Sequence, residues 1–90
     1  MIIHIPTSVD FQNELDDIFR RAQQQNLQEI IVKSGDLHRR VGGYPSSNHR
    51  MPVCCQVMRS NMRSGDQILA APPKGDGATL VVRYRMPRGQ

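Results

Sequence analysis

The sequence predicts a small α+β domain with three helices, one short strand and a C-terminal β-hairpin. Three observations carry that expectation. Between Phe11 and Ala22, apolar residues recur at helical spacing. Between Thr79 and Met86 they alternate at the period of a strand. The seven glycines and six prolines fall in discrete clusters between such stretches, which is punctuation rather than disorder.

Ninety residues hold one hydrophobic core, so the chain is expected to be a single domain, 1–90, with its core over about 8–87 and a frayed tail at 88–90. Hydrophobic residues make up 38% of the chain and there is no Trp, so that core is small and mostly aliphatic. No apolar run approaches the ~18–20 residues of a membrane span. The start, MIIHIPTSVD, lacks a basic region followed by an apolar block. A cytoplasmic protein that does not enter membranes is expected. A large enzyme, a coiled coil and a disulfide-framed secreted domain are excluded.

The elements follow in order. Met1–Pro6 is a short apolar start that suits an edge strand. Phe11, Leu15, Ile18, Phe19 and Ala22 form the stripe of an amphipathic helix over about 8–25. Thr7 or Ser8 caps it, with Asp10 in the first turn and Arg20 and Arg21 near the far end, as the helix dipole favours. Gln28–Lys33 is a brief β-branched run too short for a helix, hence a strand. Ser34 is expected to cap a second helix over 35–41 that Gly42-Gly43 ends. Tyr44–Asn48 is a loop, whose Tyr44 suits packing on the body better than stacking on a base.

The third helix begins near Asn48–Pro52, where proline costs no intrahelical bond. Val53, Cys54, Val57, Met58 and Met62 share one half of its wheel; Pro52, Gln56, Arg59 and Arg63 share the other. Ser64-Gly65 stops it. Gln67–Ala71 and Ala78–Met86 then flank the turn-rich Pro72–Gly77, an antiparallel hairpin. Leu80, Val82, Tyr84 and Met86 face the core, leaving Thr79, Val81, Arg83 and Arg85 outside.

Charge is divided unevenly. Residues 1–32 carry five carboxylates against Arg20 and Arg21, a balance of −3; residues 33–90 carry ten basic residues against Asp36, Asp66 and Asp76, a balance of +7. Eight of those ten are Arg, whose planar donor fork suits phosphate and guanine edges.

The order helix, short strand, short helix, loop, helix, hairpin resembles the winged helix-turn-helix superfamily over about residues 8–87. The link from Gly42 to about His49 is longer than the prototype's three- or four-residue turn. The resemblance implies a third helix lying in the major groove of DNA and a hairpin wing on the flanking backbone.

The residues themselves fit such a role. A reading helix needs a long-armed polar face above an apolar one, and an N-terminus that can meet phosphate. Asn48, His49 and Arg50 stand at that N-terminus, and Gln56, Arg59 and Arg63 line the outward face. Lys74 at the hairpin tip, with Arg83 and Arg85 on its outer side, adds contacts to the backbone. An ordinary solvated amphipathic helix would show the same split, so helix and hairpin must be taken together. Nucleic acid, with DNA favoured, is the expected partner, and a small transcriptional regulator the expected role.

Catalysis is not expected. Asp36, His38, His49, Cys54 and Cys55 are the only clustered candidate ligands, and their spacing matches no zinc pattern. No metal or cofactor is expected; Gly75 and Gly77 are turn residues rather than a phosphate loop. Cys54 points inward and Cys55 lies near the boundary, both as reduced thiols. A protein-interaction module is the alternative, using the basic face or the acidic first helix (Glu14, Asp16, Asp17). An exposed edge, Ile2–Ile5 or the strand at 28–33, would suit a homodimer.

Overall fold

The computed structural model describes residues 5–42 and 50–88; of the expected edge strand Met1–Pro6 only Ile5 and Pro6 fall among them, and they are not in a strand, while the loop at 44–48 lies outside. The elements are α1 (Ser8–Gln24), β1 (Glu29–Lys33), α2 (Ser34–Val41), α3 (Met51–Ser60), β2 (Gln67–Ala70) and β3 (Val81–Arg85). This is an α+β domain of three helices and a three-stranded antiparallel sheet, ordered β1-β3-β2.

Helix α1 starts on a reciprocal cap. The Thr7 hydroxyl accepts from the Asp10 amide, while the Asp10 carboxylate accepts from the Thr7 amide at 2.8 Å. Phe11, Leu15, Phe19 and Ala22 are buried along the expected stripe. The helix ends where Asn26 takes φ 59°: the Asn26 amide donates to the Gln23 carbonyl and the Leu27 amide to that of Ala22, satisfying carbonyls the helix leaves open.

Strand β1 runs into α2 without a loop. Lys33, not Ser34, is the N-cap, and Ser34 opens the helix with its hydroxyl donating to the Gly77 carbonyl. The first amides of α2 are satisfied from the hairpin loop: Ser34 N–H donates to Leu80 O and Gly35 N–H to Ala78 O. That is why the final strand begins at Val81 and not at Ala78; residues 77–80 cap α2 instead. A Cβ on Gly35 would lie 3.0 Å from Ala78 O, so glycine lets the two backbones meet.

Strand β3 is central. Val82 and Tyr84 face the helices with Leu80 and Met86, as the alternation predicts, and all four are buried. The Tyr84 hydroxyl donates to Met58 O at 2.8 Å, and its ring meets Phe19 edge-on at 4.9 Å. Strand β2 is exposed along its length and bulges between Ile68 and Ala70.

Two further expectations are corrected. Cys55 is fully buried, because the hairpin loop covers its side of α3 and the thiol lies 3.3 Å from Gly77 O. Arg88 is no frayed tail. It folds back with its guanidinium 4.6 Å from the Phe19 ring centre and 2.9 Å from the Asp66 carboxylate, leaving 8% of the residue exposed.

Candidate nucleic-acid interface

The site is built on α3 and the hairpin that packs on it. Met51, Cys54, Cys55, Val57 and Met58 bury the inner side of the helix. Exposed Pro52, Gln56 and Ser60, four residues apart, form its outward strip. Its N-terminus is set by a buried imidazole: the Arg50 amide donates to His38 Nε2 at 2.8 Å, and His38 packs edge-on against Phe11.

The expected contact residues fall into two groups. Arg59 meets the loop that carries Lys74 where the hairpin docks on α3, and Gln56 lies three residues before Arg59 on that helix. Arg59 reaches Asp76 at 3.0 Å and donates to the Gly75 carbonyl, drawing the loop and its exposed Lys74 beside the helix. Arg63, Arg83 and Arg85 gather at the other end. The amides of Arg63 and Arg85 both donate to Asp66 at 2.8 Å, and Arg83 shares the outer sheet face with Arg85. Gly65, at φ 95°, makes room for the Arg85 side chain: a Cβ there would lie 2.8 Å from Arg85 Cδ. Arg50 stands apart at the start of α3, exposed. Asn48 and His49 lie outside the described residues.

Arg59 and Arg83 are engaged within the fold. The Arg59 guanidinium, expected as a reading group, is partly neutralised by Asp76 and shared with the loop backbone. Arg83 bonds the Gln67 side-chain oxygen and lies 3.9 Å from Glu29. Arg50, Arg63, Lys74 and Arg85 are the exposed cations of the expected set.

Asp66 is the hub that the sequence reading missed. Burial works against its charge, but the amides of Arg85 and Arg63 and the Arg88 guanidinium outweigh burial and hold its pKa below the usual carboxylate value. Its signal was in plain view: Gly65-Asp66 and Gly75-Asp76 both set an acid directly after a glycine of positive φ, and both acids clamp an arginine.

Among the described residues the candidate ligands for catalysis do not converge. Asp36 is exposed and paired with Arg39 at 3.3 Å, whereas His38 is fully buried. Burial, with Cys55 beside it, pushes the Cys54 thiol up to about 12, so it stays protonated at neutral pH. Among the described residues no three His, Cys, Asp or Glu are grouped to hold a metal, and no helix is long and apolar enough to cross a membrane. No protein-family model, curated protein or solved structure matches the chain.

Proposed function

We propose that the protein is a winged-helix-like domain that binds nucleic acid, duplex DNA ahead of RNA, without catalysis. One observation carries this reading. The hairpin loop is fastened to α3 through Arg59, which holds the loop that carries exposed Lys74 against the helix that carries exposed Gln56. The element order α1-β1-α2-α3-β2-β3 and the strand order β1-β3-β2 support it, since a terminal hairpin follows a third helix as in a winged helix. In this reading Gln56 meets base edges, Arg50 and the α3 N-terminus meet phosphate, and Lys74, Arg63 and Arg85 hold the flanking backbone. Arg59 positions the loop, and Arg83 stiffens the sheet behind it.

The test is a titration with random-sequence duplex at about 50 mM and about 200 mM salt. About four phosphate contacts give a log–log slope of about −3 to −4. Lys74→Ala and Arg63→Ala each make that slope shallower by about one. Absence of binding at the lower salt overturns the reading. Single-stranded and duplex RNA competitors separate the nucleic-acid classes.

A further inference from the structure

Strand β1 lies at one end of the sheet, and among the described residues nothing pairs with its outer side. The hydrogen bonds at its ends say which of its groups are left over. Met86 N–H donates to Gln28 O at 2.9 Å and Ser34 N–H donates to Leu80 O at 2.8 Å, both in register with the β1–β3 ladder. Antiparallel pairing alternates along a strand, so the even-numbered residues direct their amides and carbonyls to β3. Glu29 and Ile31 direct both of theirs outward, and Lys33 its amide, while the Lys33 carbonyl takes the first bond of α2.

We propose that this edge pairs, antiparallel and across a two-fold axis through Ile31, with the same edge of a second copy of the chain. Parity admits only registers that set odd-numbered residues opposite one another. Of these, the one centred on Ile31 sets opposite charges against each other: Ile31 faces Ile31 of the partner subunit, and Glu29 faces Lys33 of the partner subunit, twice over. Three opposed pairs exchange about four backbone bonds, two between the Ile31 residues and one from each Lys33 amide to a Glu29 carbonyl. The same register places each carboxylate against an ammonium on the outer sheet face, a self-complementary arrangement that favours a second copy over an unrelated strand.

The surroundings fit that occupant. Ile31 is 53% exposed and Leu27 39%, an apolar patch at the edge. Beside them runs an open groove of about 300 Å³ between β1 and the helices, floored by Ile18, Ala22 and Leu37. The inward residues of the incoming strand, Ile30 and Val32 of the partner subunit, have that apolar floor to cover. The result is one continuous six-stranded sheet. It goes beyond the nucleic-acid reading and stands whether or not DNA is bound.

Sedimentation and light scattering of the full chain, free of nucleic acid, test it. The expected mass is twice the 10.2 kDa of one chain. Ile31→Pro removes an outward amide without touching the bonds to β3, and converts the dimer to monomer with the circular dichroism of the folded protein. Lys33→Glu sets like charges opposite at both ends and weakens association about tenfold; adding Glu29→Lys to it restores the dimer. The paired charge variants keep the test decisive if the proline variant unfolds. A chain that stays at 10.2 kDa up to about 1 mM overturns the proposal, as does a dimer indifferent to the Lys33→Glu change.

Discussion

The Asp66 carboxylate and the Arg88 guanidinium meet at 2.9 Å with their side chains almost wholly withdrawn from water, at 0% and 7% exposure. The pair ties the end of β3 to the segment after α3, because Arg88 also donates to Asn61 O and Arg85 O while covering Phe19 and Tyr84. Removing one partner strands the other charge. Arg88→Met keeps the stem packed on the rings but leaves Asp66 alone, and is expected to cost about 3–5 kcal/mol. Guanidinium unfolding checks this; a loss below about 1 kcal/mol removes Asp66–Arg88 from the account of stability.

Acid should act on the same residue. The folded pKa of Asp66 lies below its ordinary value of 3.8, so its contribution is present above that value and is lost as pH falls through the lower folded one. The melting temperature should hold from neutrality down to about pH 5 and drop below about pH 4. Asp66→Asn should flatten the drop. A variant with the wild-type acid profile would assign the transition to other carboxylates.

Cys54 gives the opposite sign. Its thiol, raised from 9.0 to about 12, contributes stability that is complete below pH 9 and declines above it, where the unfolded chain ionises first. At pH 8, alkylation should proceed at the rate of opening and rise with denaturant. Labelling as fast as that of a free thiol would place Cys54 outside the core.

Gly35 and Gly75 make a matched pair of substitutions. An added Cβ at Gly35 meets Ala78 O at 3.0 Å and Ala78 Cβ at 3.2 Å, so Gly35→Ala must push the hairpin loop away from α2, at about 1–3 kcal/mol. At Gly75 nothing lies within 4 Å, and only the φ of 86° opposes Gly75→Ala, worth about 1–2 kcal/mol. The first should also raise amide exchange at Ser34, whose hydrogen bond it disturbs; the second should not.

Arg59 and Asp76 test how the loop serves the proposed interface. Their half-exposed bridge is worth about 0.2–1 kcal/mol, so Asp76→Asn should leave stability nearly unchanged. It removes a negative charge beside the outward strip and should steepen the salt dependence of DNA binding by about one. An unaltered slope would mean that this flank does not face phosphate.

Local features were legible in the sequence. The α1 stripe, the Thr7–Asp10 cap and the inward set Val82, Tyr84 and Met86 depend on residues a few positions apart, and helix and strand periods expose them directly. What could not be read was long-range. Whether residues 77–80 continue the strand or cap α2 depends on Ser34 and Gly35, more than forty positions away. Arg88 looked like tail because its partners, Asp66 and two aromatic rings, are assembled only by folding. In the site, the basic residues were legible as a set. Which of them turn outward was not, since Asp76 and Glu29 come to Arg59 and Arg83 through tertiary contacts.

The two ends of the sheet are built differently. Across from β1, strand β2 breaks step between Ile68 and Ala70, so that border offers no even ladder for an arriving strand. Joining through β1 consequently terminates at a closed pair: the border left on each side cannot template another copy, and growth into a fibre has nowhere to proceed.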